Sequence, residues 1–297
     1  MMESVGKGER EKQKQTQTPI DGYISAAEYL RHSYEIPAEL PERPLADESF
    51  AATWREASGG AVLDFLADEF GLPAFRFPWE DRKALKISFA ETLGGRLPSV
   101  ATASHKDFRQ MEALLNARTE ALELPPTVNA FTLEARAKAI FRHRVLLLNS
   151  APYSNIPAEK LGLPNQEWLE RSHRLRLRHE CVHYETLRLF GGMENHAFDE
   201  ILADGMGQIA AFGSFDADRQ RIFFGLKRGG DACTGRLSFY CQNVRPEERA
   251  AIYRAVDTVL DDVADEMNGR LARKESDAKL LFALAGTSLA ERLKAKG

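Results

Sequence analysis

The chain has 297 residues, 43% of them hydrophobic and 28% charged, the composition of a globular protein with enough material for one large domain or two small ones. Forty basic residues against forty-four acidic leave a net charge of −4, so the chain offers no broad basic field to nucleic acid or to an anionic membrane. No run approaches the roughly 18 uninterrupted apolar residues that crossing a bilayer needs, so a membrane is not an expected partner either.

Residues 1–19 are polar and charged, with no apolar centre of the signal-peptide kind, and read as a disordered tail. Residues 20–297 read as a single domain, with 20–150 a candidate N-terminal subdomain and 246–297 a C-terminal helical part. Three cysteines, Cys181, Cys233 and Cys241, show no CxxC spacing and read as reduced thiols of a cytoplasmic protein.

In chain order, a short helix is expected from about Ser25, stopped before Pro37, followed by the proline-rich connector IPAELPERPL. SGGAVLDFLADEFGLP has helical periodicity and ends on a Gly-Leu-Pro stop. ALKISFAETLGGRLPSVATAS has the content of two short strands joined around Gly94-Gly95. Two helical runs are expected at about 105–122 and 132–145, and VLLLNS reads equally as a helix end or a buried strand. SAPYSNIPAEKLGLP is a loop. A helix is expected from an Asn165 N-cap to Phe190, closed by Gly191-Gly192, and a second from near Asn195 to Phe212. Residues 215–245 suggest loops and short strands, and the C-terminus two long helices. The predicted class is mainly α with a small β component, α+β.

The stretch that carries chemistry is HECVH at 179–183. On a helix, residues four apart share a face, so His179 and His183 can present ring nitrogens to one point. Glu180, about 100° round the helix, lies near that point without being forced onto an ion. Metal-assisted hydrolysis needs this arrangement: two neutral imidazoles on Zn²⁺ and a carboxylate that takes a proton from water. A third ligand can come from the next helix, where Glu200 and Asp204 are again four apart. Glu200 can reach the ion while Asp204 holds a histidine ring through its distal N–H. His196, one turn before Glu200, is the rival third ligand. Gly205 and Gly207 would let the two helices approach closely.

Both parts resemble the gluzincin branch of the zincin metallopeptidases, which carry HExxH on one helix and Glu-x-x-x-Asp on the next. The resemblance covers about residues 165–212. It implies a zincin-like fold with the HExxH helix packed on the ExxxD helix, His179, His183 and Glu200 as zinc ligands, Glu180 as general base and Asp204 as a supporting carboxylate.

Around this centre, Arg176 falls on the stripe of His179 and His183 and is a candidate substrate-binding guanidinium, or else a salt-bridge residue. Cys181 reads as a packing residue. Tyr240, His196 and Tyr184 are candidate donors for an oxyanion. Zincins generally bind substrate backbone along an edge strand, a role LKISFAETL or VLLLNS could fill. The expectation is a cytoplasmic zinc metallohydrolase, a peptidase acting on a peptide substrate. Alternatives are a hydrolase of a small amide or ester, a protein with a purely structural metal, and a non-haem iron site with the same donors.

Overall fold

In the computed structural model the described residues are 22–39, 41, 43–57, 61–71, 74–126, 128–137, 141–193 and 195–296; the tail over 1–19 lies outside them. They form helices α1 (Ala26–Arg31), α2 (Phe50–Ala57) and α3 (Val62–Phe70), strands β1 (Lys86–Ala90) and β2 (Leu97–Thr102), and helix α4 (His105–Leu115). Strands β3 (Ala130–Ala137) and β4 (Phe141–Asn149) follow, then helices α5 (Asn165–Phe190), α6 (His196–Phe212), α7 (Ala217–Phe224) and α8 (Leu237–Tyr240). The chain closes with α9 (Arg249–Ala272), α10 (Asp277–Ala285) and α11 (Leu289–Lys294). It is α+β, with one four-stranded sheet among the described residues. None of the described helices is long and apolar enough to cross a membrane.

Local signals set many boundaries. Ser25 caps α1 by accepting from Glu28 N at 3.1 Å, and Asn195 caps α6 by accepting from Phe198 N at 3.0 Å, satisfying donors that a helix start leaves open. Helix α5 ends at Gly191, whose φ of 83° suits glycine. Asn165 is not its cap: α5 starts after Pro164, and no side chain caps it.

Four expectations are corrected. The described parts of the run 132–145, residues 132–137 and 141–145, are not helix but strand, in the antiparallel pair β3–β4 with Leu133 opposite Val145. Its good helix formers are overruled by pairing on both sides of β4, and Val145, Leu146, Leu147 and Leu148 are all buried, as in a strand covered on both faces. Helix α4 stops at Leu115, and just beyond it Ala117 takes a φ of 54°. Within 215–245, read as loops and short strands, Ala217–Phe224 and Leu237–Tyr240 are helices α7 and α8. The last predicted helix is two, α10 and α11, divided at Ser288, which forms a capping box with Glu291. Helix α2 has no counterpart among the expected elements.

The described residues fall into two compact units. One holds Pro37–Gly191 and Ala203–Ser214. Its sheet runs β1-β2-β4-β3, with β2 and β4 parallel and both outer pairs antiparallel. Successive residues of β3 face opposite ways: Phe131 stacks on Phe108 of α4 at 5.5 Å, while Thr132 meets Glu180 of α5. Helices α4 and α5 therefore cover opposite faces of the sheet. Within the core, Trp54 Nε1 donates to His143 Nδ1 at 3.1 Å and Phe50 stacks on the same imidazole.

The other unit holds the described residues up to Ile36, Gly192–Leu202 and those from Phe215 on. In it α9 packs on α1, α7 and α11. Buried Arg221 donates to Asp257 at 2.5 Å and to Asp261 and Asp218 at 2.9 Å, so its charge is compensated where water is excluded. A Cβ on Gly225 would stand 2.2 Å from Gly235 N, so the turn after α7 requires glycine there.

Two outcomes follow from this packing. A Cβ at Gly207 of α6 would lie 2.8 Å from the Leu175 carbonyl oxygen of α5, so Gly207→Ala should lower the unfolding free energy by about 1–2 kcal/mol, although alanine is the better helix former. Urea denaturation measures this, and wild-type stability would show that the helices separate without cost. Burial holds the His143 imidazole below its ordinary pKa, against the opposing pull of Glu69. The unfolded chain then binds a proton that the folded chain does not. Stability is therefore full above the usual histidine pKa of about 6.5 and is lost progressively as pH falls below it. His143→Gln, which keeps an acceptor for Trp54, should flatten that limb of a stability–pH curve.

Candidate metal centre

Helix α5 carries buried polar residues on one stripe: Ser172, Arg176 and His179, spaced four and then three apart, with His183 one turn beyond. On its other side Cys181 and Tyr184 belong to the sheet core. Burial pushes the Cys181 thiol up to about 12, so it stays protonated and is a packing residue, not a nucleophile. Tyr184 donates to Glu48 Oε2 and accepts from Arg188 Nη1, both at 2.9 Å; its hydroxyl ties loops to α5 and is no oxyanion donor.

Asp204 of α6 is fully buried and lies 2.9 Å from His179 Nδ1. Tyr153 donates to the same Asp204 oxygen at 2.5 Å and stands 2.9 Å from His179 Nδ1. A carboxylate only accepts, so the His179 proton sits on Nδ1 and the lone pair of Nε2 points the other way. There it meets His183: the two Nε2 atoms are 3.0 Å apart and the rings are nearly perpendicular, at 85°. One turn before Asp204 on the same helix is Glu200, 7% exposed. His179, His183 and Glu200 each offer one ligand atom, and these atoms all lie within 4.8 Å of one another.

This donor set fits zinc. Two nitrogens on a tetrahedral ion with bonds of 2.0–2.1 Å stand about 3.3 Å apart, close to the separation here. Two imidazoles and a carboxylate also leave a fourth position for water or substrate, and the same set suits ferrous iron. Glu180, half-buried and next in sequence to His179, accepts from Thr132 Oγ1 at 2.9 Å and is not one of the cluster residues. Arg236 Nη1 reaches Glu200 Oε2 at 3.3 Å, and its guanidinium lies over the rings of Phe224 and Tyr240.

The remaining expected residues fall as follows. Arg176 is buried and donates to the backbone carbonyls of Asn149 and Ala151 at 2.9 and 2.8 Å and of Pro152 at 3.3 Å. Burial pushes its pKa down to about 10, so it remains charged at neutral pH. Its fork is committed to the protein's own loop, which corrects the substrate-binding reading. His196, the rival third ligand, is exposed at the first position of α6 and is not in the cluster. Tyr240 is half-buried at the end of α8, and its carbonyl accepts from Tyr29; it stands near Arg236, not among the cluster residues. VLLLNS is interior strand β4, paired on both sides, and cannot be an edge; the edge strand packed on α5 is β3. Three residues near the cluster had no sequence signal. Tyr153 and Thr132 precede HECVH at spacings that no local periodicity links to it, and Arg236 lies in a glycine-rich stretch with no repeating pattern.

Residues 127–295 match the model of a family of unknown function, DUF7005. The chain belongs to DUF7005. The matched span contains α5, α6 and β4, and so every residue of the cluster together with Glu180, Asp204, Tyr153 and Thr132. Among curated proteins and among solved structures, none matches this DUF7005 chain.

If Arg176 serves the loop and not a substrate, Arg176→Met should lower stability by roughly 2–4 kcal/mol, since buried carbonyls lose their donor. Thermal and urea denaturation read this, and an unchanged melting curve would contradict it.

Proposed function

We propose that this chain is a zinc-dependent hydrolase of gluzincin-like design that cleaves amide bonds in peptides. The observation that carries the proposal is the orientation of His179: with its Nδ1 proton committed to Asp204, its Nε2 lone pair faces His183 Nε2 at 3.0 Å. Two ring nitrogens turned on each other beside a buried carboxylate are the donor half of a metal site. The three free cysteines agree with a cytoplasmic setting.

In this reading His179, His183 and Glu200 hold the ion, and α5 packed on α6 is a zincin-like helix pair. Zinc, when bound, supplies Lewis acidity, which polarises a substrate carbonyl and acidifies water at neutral pH. Glu180 takes the proton released as water oxygen bonds to the carbonyl carbon, and returns it to the amine nitrogen as the C–N bond breaks. Thr132 orients Glu180 for both transfers by holding one carboxylate oxygen. Arg236, beside Glu200, is the donor proposed for the charge that develops on the carbonyl oxygen, with Tyr240 packed against it. Edge strand β3, which carries Thr132, is placed to align an extended peptide by strand addition.

The purified full chain should contain about one zinc per molecule by elemental analysis. Glu180→Gln should keep the metal and lower hydrolysis of a quenched-fluorescent peptide library by about 10²–10⁴-fold, while His183→Ala should lose the metal. Protein free of transition metal, or a Glu180→Gln variant with full activity, would end the proposal; iron in place of zinc would turn it toward oxygen chemistry.

A further inference from the structure

The loop between β4 and α5 is held by α5 with an unusual density of directed bonds. Trp168 Nε1 donates to the Ile156 carbonyl at 2.7 Å. One turn on, Ser172 Oγ accepts from Tyr153 N at 2.9 Å. One turn further, Arg176 takes the carbonyls of Asn149, Ala151 and Pro152. Ser154 and Asn155 both adopt left-handed φ, 51° and 55°, a conformation that costs non-glycine residues energy and persists only where the surroundings impose it. The stripe ends at His179, and the loop residue that meets it there is Tyr153, 4% exposed.

We propose that Tyr153 is a positioning residue of the metal centre: the loop gripped by α5 delivers its phenol to the His179–Asp204 pair and holds the His179 ring with Nε2 facing His183. The inference rests on the metal reading above and adds a residue to it. The physical reason is the geometry of a buried carboxylate. The Tyr153 hydroxyl, donating to the same Asp204 oxygen at 2.5 Å, fixes that oxygen opposite Nδ1. The Arg176 guanidinium, 5.9 Å from the Tyr153 ring centre, and the Ser172 bond to Tyr153 N fix the phenol in turn. Partners of this kind, one bond removed from a metal, typically change its affinity by 10–100-fold.

The test compares Tyr153→Phe with Ser172→Ala in the full chain. The first removes only the hydroxyl; the second removes one buried loop bond and leaves the hydroxyl in place. Zinc affinity is measured by chelator competition, and the visible absorption of the Co²⁺ form reports ligand geometry. Tyr153→Phe should bind zinc about 10–100-fold more weakly with an altered Co²⁺ spectrum, and Ser172→Ala should lose far less at a similar drop in melting temperature. Long-range ¹H–¹⁵N spectra of the metal-free protein give a second readout: His179 should be a single Nδ1–H tautomer in the wild type and a mixture in Tyr153→Phe. Equal affinity losses in the two variants at equal loss of stability would make the phenol merely structural and overturn the inference. Wild-type protein that takes up no metal would instead overturn the proposed function, and an unchanged tautomer in Tyr153→Phe would then overturn this inference as well.

Discussion

The hydrogen bond between His179 Nδ1 and the Asp204 carboxylate, 2.9 Å long and shut away from water, constrains more of this molecule than any other contact. A buried carboxylate costs several kcal/mol unless donors surround it. His179 on α5 supplies one of those donors to Asp204 on α6, and this bond holds the two helices close at that point. Gly207, one turn on, is what permits that approach, because any side chain there would strike the Leu175 carbonyl. Once the bond forms, the second nitrogen of His179 has no choice of direction. The ring that satisfies Asp204 on one side must offer a lone pair on the other.

The sheet supplies the rigidity behind that arrangement. Helix α5 lies against β3 and β4, and α4 covers the opposite face. Every residue from Val145 to Leu148 is buried, so β4 cannot shift without exposing apolar surface on one face or the other. The loop that leaves β4 is pinned by Trp168, Ser172 and Arg176, and α5 thus organises both its own histidines and the segment that bears Tyr153. On the other side of HECVH, Thr132 reaches from the sheet to Glu180. Polar side chains of the proposed centre are held by secondary structure, the condition under which a site keeps its geometry without rearranging.

Much of this was legible locally. The four-residue spacings of His179 with His183 and of Glu200 with Asp204 place each pair on one helix face whatever surrounds them. Gly191 and Asn195 mark the break between the helices by their own backbone and capping chemistry. Helical spacing puts Arg176 on the histidine stripe, but its partners are carbonyls from about 25 residues earlier, which no periodicity encodes. Strand β3 and the start of β4 were hidden for the same reason, whereas VLLLNS, the end of β4, was already legible as a possible buried strand. LEARA has good local helix propensity, and only pairing of Leu133 with Val145, and of β4 with β2, shows that residues 133–137 complete a sheet. Tyr240 was legible as an aromatic beside a glycine-rich stretch, yet its place on α8 depends on contacts with Tyr29 and Arg236.

By itself the sequence determined the helices that carry HECVH and EILAD, the glycine stop of the first and the Asn195 cap of the second, because those properties depend on residue type and on spacings within a few turns. The tertiary structure alone decided which tautomer His179 adopts, that Arg176 holds a loop, that Thr132 and Tyr153 attend the histidines and their neighbouring glutamate, and which strand edges the sheet beside them. Each of these is set by groups far apart along the chain, brought together by the burial of apolar surface, which carries no local signature.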